Sequence, residues 1–100
     1  MIDFSRIVCF DWDDAIRRKS SDKHEVGQTE AEQVYVDPRV LIVTDEKHGG
    51  QEARFHALGT TVAGRRLLVS FTLRTLGTLI RVISARDMSR KERTRYDQEV

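Results

Sequence analysis

The chain has 100 residues, with 17 Lys and Arg, 16 Asp and Glu and one cysteine, which predicts a single domain over residues 1–100 without an internal disulfide. A charged-then-apolar leader and a long apolar run are both missing, which argues against a secreted or membrane-spanning chain and makes the cytoplasm the expected location. Residues 1–64 hold 8 Lys and Arg against 12 Asp and Glu and residues 65–100 hold 9 against 4, so the C-terminal third can attract phosphate or an acidic protein surface.

The N-terminal segment favours a strand followed by a helix. Residues 6–11 are predicted to form a short buried strand, in which Cys9 is a small buried thiol. Asp13 can cap a helix over residues 14–24 because its carboxylate can accept from free amides of the first turn.

A second helix is predicted over residues 29–36. Thr29 and Glu32 have the spacing of a capping box, in which the hydroxyl and the carboxylate satisfy free amides at the helix start. Asp37-Pro38 ends this helix, because proline cannot continue it.

Four segments with strand character follow, and short turns separate them. The segments are residues 40–44, 53–61, 66–73 and 78–85, and the turns are His48-Gly49-Gly50, Ala63-Gly64 and Leu76-Gly77. Turns this short join antiparallel neighbours. With the helices, this predicts an α+β fold whose sheet is an antiparallel meander of about four or five strands.

The strand over residues 66–73 has two different faces. Its odd-numbered residues from Leu67 to Leu73 are apolar and predict a core face, while Ser70, Thr72 and Arg74 predict a polar face. The strand over residues 78–85 mixes arginine and aliphatic residues, which predicts a central strand covered on both faces.

The C-terminal helix is predicted over residues 89–97. Ser89 and Glu92 form a second capping box. The helix is rich in Arg and Lys and has little apolar surface, so we expect it to pack by one edge at most.

The chain has three histidines, His24, His48 and His56, a residue type whose side chain titrates near neutral pH. None has the spacing of a metal site, and no metal is predicted. His48 is expected to be solvated and His56 to be a partly buried structural residue. His24 follows Lys23, so it suits proton transfer near a phosphate, with a structural role as the alternative.

Short motifs are spaced along the chain from Phe10 to Tyr96. They include Phe10-Asp11-Trp12-Asp13, Lys23-His24, Glu52-Ala53-Arg54-Phe55, Phe71-Thr72-Leu73-Arg74 and Ile80-Arg81-Val82-Ile83-Ser84-Ala85-Arg86. In order and spacing together they resemble the BrnT family, the ribonuclease toxins of BrnT–BrnA type II toxin–antitoxin pairs.

This resemblance implies a RelE-like fold, with two N-terminal helices and one C-terminal helix on the sheet. It implies a metal-independent endoribonuclease without a cofactor, which cleaves RNA through attack by the 2′-hydroxyl, inhibits translation and arrests growth. It also implies a ribbon-helix-helix, BrnA-like antitoxin that forms a heteromeric complex with the toxin and binds operator DNA.

Site residues can be predicted on the same basis. Lys23 and His24 are expected to transfer protons. The scissile phosphate is expected to be held on the polar sheet face by Arg54, Arg74 and Arg86, whose guanidinium groups pair with two oxygens at once. Further RNA contacts are predicted for Arg81, Arg90, Arg93 and Tyr96. For each arginine the alternative is an ion pair with an acidic residue, which for Arg81 is Asp11 or Asp13.

Two other functions remain open. Ile16, Ser20 and Gln28 stand where BrnT-like proteins usually carry Lys, Asn and Phe, which favours a weakened or inactive module that mainly binds an antitoxin. Direct DNA binding by the C-terminal helix is less favoured, since Glu92 and Asp97 interrupt its positive charge.

Overall fold

The structure is a computed structural model that describes residues 4–45 and 52–99. Its strands and helices, in chain order, are β1 (Cys9–Trp12), α1 (Asp14–His24), α2 (Gln28–Gln33), β2 (Leu41–Asp45), β3 (Arg54–Thr60), β4 (Arg66–Arg74), β5 (Leu79–Asp87) and α3 (Arg90–Glu99). Single turns of 3-10 helix lie at Phe4–Arg6 and Val34–Val36. The predicted turn at residues 48–50, with His48, lies outside the described residues. No described helix has the length and apolar character needed to cross a membrane.

One five-stranded mixed sheet organises the chain, in the order β1-β5-β4-β3-β2. The α+β class is confirmed, and β2 to β5 pair as antiparallel neighbours. The prediction of an entirely antiparallel sheet is wrong at β1, which pairs with β5 in parallel. Two helices separate β1 from β2, which occupies the far edge, so β1 takes the free edge of β5, and no turn residue signals its direction.

The core face of the sheet is the one predicted from the alternation in β4. Leu67, Val69 and Phe71 are fully buried there. They pack with Ala31 of α2 and with Val26 between α1 and α2, so the two N-terminal helices cover this face. Burial of such side chains contributes about 1.5–3 kcal/mol each to folding.

The opposite face, which we call the polar face, is apolar at one end. Leu58 and Leu68 are buried there together with Met88 and with Tyr96 of α3. The prediction that this face is polar throughout is therefore corrected: α3 covers its Leu68 end, and polar side chains occupy the remainder.

Two of the three predicted helix caps are confirmed. Asp13 Oδ1 accepts from the Ala15 amide at 2.8 Å. The Glu92 carboxylate accepts from the Ser89 amide at 2.8 Å and the Ser89 hydroxyl accepts from the Glu92 amide at 3.2 Å. The capping box at Thr29 is wrong, because α2 begins after Gly27 and the Glu32 carboxylate accepts from the Trp12 indole at 2.8 Å instead.

Cys9 is exposed, which corrects the prediction of a buried thiol. It lies on edge strand β1, where Phe10 and Trp12 pack against the core. Because side chains alternate along a strand, Cys9 faces the other side of the sheet, at an end that α3 does not reach.

Candidate active site

Two arginines and a threonine form a line across the uncovered part of the polar face. Arg54 of β3 lies opposite Thr72 of β4, and Thr72 lies opposite Arg81 of β5. Residues directly opposite on neighbouring strands present their side chains to the same face. Asp45 and Asp11 continue the line at its two ends. We call Arg54, Thr72 and Arg81 the arginine row.

The arginine row has hydrogen-bonding capacity that the fold does not use. Arg54 makes no ion pair among the described residues. Thr72 is 6% exposed, and its buried hydroxyl oxygen has no hydrogen-bond partner in the described part of the chain. A buried polar group without a hydrogen bond lowers stability by about 1–3 kcal/mol. The row is therefore suited to an anionic ligand that accepts hydrogen bonds from these donors.

Arg81 and Glu52 set the charge around this hydroxyl. Arg81 Nη1 donates to Asp11 Oδ2 at 3.2 Å, so the predicted pairing with Asp11 is confirmed, although Asp11 is 41% exposed rather than buried. The Thr72 hydroxyl, followed by the charges of Arg74 and Arg81, lowers the pKa of Glu52. A hydroxyl lowers a carboxyl pKa by donating to the carboxylate, so Glu52 is the group placed to accept from Thr72, although the two atoms lie outside normal hydrogen-bond geometry, and Glu52 is a carboxylate near neutral pH.

His56 lies two residues from Arg54 on the same face of β3. Its Nε2 is 3.0 Å from Asp45 Oδ2, and its Nδ1 is 2.7 Å from Ser70 Oγ. An ionised Asp45 can only accept, so His56 Nε2–H donates to it, and Nδ1 is then the acceptor for the Ser70 hydroxyl. We call Asp45, His56 and Ser70 the His56 relay; the Nδ1 lone pair, which accepts from the Ser70 hydroxyl, is the position at which the ring can take up a proton.

The other arginines predicted to hold phosphate are ion-paired. Arg74 Nε lies 3.1 Å from Glu52 Oε1, next to the arginine row. Arg86 donates two hydrogen bonds to Glu92, at 2.8 and 2.9 Å, and this pairing lowers the pKa of Glu92 to about 2. Arg86 lies opposite Leu68, four residues from Thr72 along β4, or about 13 Å. The structure thus brings Arg54 and Arg74 together and places Arg86 beside α3.

Lys23 and His24 are the last two residues of α1, and they lie away from the arginine row. We call the end of α1 around them the His24 corner. Arg65 ties this corner together by donating to the carbonyls of His24 at 3.0 Å and Glu25 at 2.6 Å. The same guanidinium binds Glu30 at 2.8 Å and Asp87 at 2.7 Å. Its hydrogen bond to Asp87 raises the pKa of Arg65 and lowers that of Asp87.

The His24 corner and the arginine row lie on opposite faces of the sheet. Asp87 is opposite Leu67, a core-face residue that is five positions from Thr72, or about 16 Å along β4. The structure therefore does not bring Lys23 and His24 to the arginines that were predicted to share one phosphate with them. We had not expected His56 in this role.

The residues predicted to bind RNA on α3 have different surroundings. Tyr96 is fully buried, and its hydroxyl bonds to Asp37 and Thr60. Its ring cannot stack on a base, which corrects that prediction. Arg93 donates to the Met88 carbonyl at 3.1 Å, while Arg90 is exposed.

A signal for the missed residues is present in the sequence. A hairpin centred on Leu76-Gly77 pairs Thr72 with Arg81, as observed. A hairpin centred on Ala63-Gly64 would pair His56 with Phe71, which is one residue away from the observed partner Ser70. The part of the chain that the structure describes contains no group of three or more His, Cys, Asp and Glu that could hold a metal ion.

Residues 12–92 match the family model described as "Ribonuclease toxin, BrnT, of type II toxin-antitoxin system". The fold is similar to the crystal structure of the Brucella abortus ribonuclease toxin BrnT, with a TM-score of 0.64 and 20% sequence identity. That similarity covers 83% of this chain and 99% of the Brucella chain. No curated protein matches the sequence.

Proposed function

The chain belongs to the BrnT family of ribonuclease toxins of type II toxin–antitoxin systems, and from this premise we propose that it is itself a metal-independent endoribonuclease. The proposed active site is the arginine row together with the His56 relay. The observation that carries this proposal is a described arginine without an ion pair, next to a buried hydroxyl without a hydrogen bond of normal geometry in the described residues. Both lie two residues along the strands from a histidine held by a carboxylate.

RNA contains its own nucleophile, and this determines what the protein must supply. Attack of a 2′-hydroxyl oxygen on the adjacent phosphorus forms a new P–O bond and adds negative charge to the phosphoryl oxygens. The bond from phosphorus to the 5′-oxygen of the next nucleotide then breaks, and this oxygen leaves as a hydroxyl after taking a proton from water. Arg54 and Arg81 can stabilise that charge from two sides, and the Thr72 hydroxyl can donate between them. Guanidinium groups keep their charge at any physiological pH, so a metal ion is not required for this step.

His56 is the proposed proton acceptor for the 2′-hydroxyl. With Asp45 on Nε2, the imidazolium that forms is stabilised and the ring is fixed in one orientation, as in other His–carboxylate pairs. Ser70 occupies Nδ1, so the proton reaches the ring either through the Ser70 hydroxyl or after it rotates away. Arg74 is proposed to add positive charge beside the row.

We place Lys23 and His24 outside the active site, since they lie on the core side of the sheet. Their proposed role is structural, at the helix end that Arg65 binds. Arg86 is proposed to anchor α3 through Glu92 rather than to bind phosphate.

Membership in a type II toxin family implies an antitoxin partner. We propose that this partner is a BrnA-like ribbon-helix-helix protein, which covers the polar face, forms a heteromeric complex and binds operator DNA. Free toxin is then expected in the cytoplasm, where RNA cleavage inhibits translation and arrests growth. A neighbouring reading frame for such a protein is the simplest check.

A second candidate function is a module that binds the antitoxin and cleaves RNA weakly or not at all. Arg74 and Arg86 are neutralised by Glu52 and Glu92, and both ring nitrogens of His56 are already bonded. A strong antitoxin complex without RNA cleavage, either on ribosomes or in solution, would favour this function.

The experiment uses purified full-length protein and two labelled RNAs of the same sequence, one of them 2′-deoxy throughout. We expect cleavage of the first RNA only, with 2′,3′-cyclic phosphate ends and full activity in EDTA. The Arg54→Ala variant should lose this activity, while Arg18→Ala on the exposed side of α1 is the matched control. Cleavage of the 2′-deoxy strand, or loss of cleavage in EDTA, would contradict the mechanism.

A further inference from the structure

Helix α3 forms a fixed wall beside the arginine row. Its N-terminal turn is held by the Arg86–Glu92 pair, and its C-terminal half by Tyr96, which is fully buried and bonded to Thr60 and Asp37. Although burial opposes it, the hydrogen bond from Tyr96 helps to lower the pKa of Asp37, so this carboxylate is ionised and holds the helix at neutral pH. The two flanks of α3 therefore have fixed directions.

One flank of α3 points away from the arginine row. Asp97 forms an ion pair with Arg66 at 3.0 Å. Arg66 is the first residue of β4, so Leu68 lies between it and Ser70 along the strand. Arg93 lies one turn before Asp97, and Arg90 lies almost two full turns before it at about 100° per residue, so both share this outer flank.

The other flank, which we call the inner flank, points towards the His56 relay. Arg95 precedes Asp97 by two residues, which turns its side chain about 160° away from Asp97. Lys91 lies one turn before Arg95 and shares its flank. Both residues are exposed, and neither forms an ion pair among residues 4–45 and 52–99.

Resting on the proposed function, we propose that Lys91 and Arg95 bind the phosphates of the RNA strand next to the cleaved one. About 13 Å along β4 separates the Thr72 position from the Leu68 position under α3, a distance that a short single-stranded segment spans. The strand thus crosses the sheet at the arginine row, passes the His56 relay and leaves over the inner flank of α3. This path excludes the outer-flank residues Arg90 and Arg93.

The test compares two double variants that remove the same charge from the same helix. The probe is a short fluorescein-labelled single-stranded RNA with 2′-O-methyl groups, which prevent cleavage, and its dissociation constant is measured over a series of KCl concentrations. The slope of log affinity against log salt is negative, and each lost phosphate contact makes it shallower by about 0.7. We expect Lys91→Gln/Arg95→Gln to make the slope shallower by about 1.4 and Arg90→Gln/Arg93→Gln to leave it unchanged.

Equal losses in both double variants, or no loss in Lys91→Gln/Arg95→Gln, would overturn the proposal and assign the inner flank to a protein partner or to solvent. The variant Arg54→Gln, measured with the same probe, separates the two proposals. If Arg54→Gln binds as wild type while the inner-flank variant is weakened, only the active-site assignment fails. If the wild-type chain does not bind the probe, both fail.

Discussion

The His24 corner, and the arginine row together with the adjacent His56 relay, each bring positive side chains next to carboxylates and a histidine, yet the fold uses them differently. At the His24 corner, Arg65 donates to two carbonyls and two carboxylates, so its N–H donors are already bonded within the chain. In the arginine row, Arg54 forms no ion pair and the Thr72 hydroxyl forms no hydrogen bond of normal geometry among the described residues. A cluster whose charged groups are all paired with one another stabilises the fold, whereas a cluster with unused hydrogen-bond donors can bind a ligand.

The strongest test of this comparison replaces each of the two histidines in turn. Because His56 is the proposed proton acceptor, His56→Ala should lower kcat for RNA cleavage by about 10²–10⁴-fold. His24→Ala should lower it by less than about 10-fold, since His24 lies on the other face of the sheet. Thermal unfolding of both variants, and of His56→Gln, checks that they fold. A larger loss in His24→Ala than in His56→Ala would reverse the comparison.

A second test separates the free arginine from its ion-paired neighbour. Arg54→Ala should reduce kcat by about 10²–10³-fold, the usual effect of removing one donor to a charged transition state. Arg54→Lys keeps the charge but loses the two-oxygen pairing and should recover only part of the activity. Arg74→Ala is the matched control, with a smaller loss because Glu52 already occupies that guanidinium. Equal losses at the two positions would remove the distinction between paired and unpaired arginines.

A third test concerns the stability of the His24 corner. Arg65→Met should lower the free energy of unfolding by about 1–3 kcal/mol, because Glu30 and Asp87 lose a partner that is only 26% exposed. Arg66→Met removes the more exposed pair with Asp97 and should cost about 0–1 kcal/mol. Urea unfolding measures both, and cleavage per folded molecule should stay near the wild-type value. A catalytic loss in folded Arg65→Met would bring the corner into the active site.

The smallest expected effect is a pH dependence of stability at α3. The Arg86 guanidinium lowers the pKa of Glu92 from 4.5 to about 2, so the ionised carboxylate stabilises the folded state above pH 4.5 and loses this contribution as the pH falls towards 2. Over that range the wild-type chain should lose about 1 kcal/mol more stability than Glu92→Gln, after allowance for solvent screening. Urea midpoints at several pH values measure this. Parallel curves for the two proteins would show that the pair does not stabilise α3.

Much of the fold could be predicted because it depends on local patterns. The alternation in β4 predicted the core face, and the Asp13 cap and the Ser89–Glu92 box predicted the starts of two helices. The parallel pairing of β1 and the exposure of Cys9 could not be predicted, since both depend on which sheet edge a distant strand occupies.

The candidate site was harder to predict than the fold. Charge alone identifies Arg54 and Arg81 as candidates, but His56, Ser70 and Thr72 are ordinary strand residues until the hairpin register places them side by side. Lys23 and His24 are adjacent in a motif, although proximity along the chain does not determine the sheet face on which they lie. Catalytic groups become visible through pairing across strands rather than through spacing along one of them.

The central claim is that RNA binds the polar face at the arginine row and leaves the His24 corner untouched. It is tested most directly by NMR of the histidine ring signals during titration of the full chain with a 2′-O-methyl RNA that cannot be cleaved. The account predicts that the assigned His56 signals shift in proportion to RNA bound, while those of His24 stay in place. A shift of the His24 signals with His56 unchanged would contradict it.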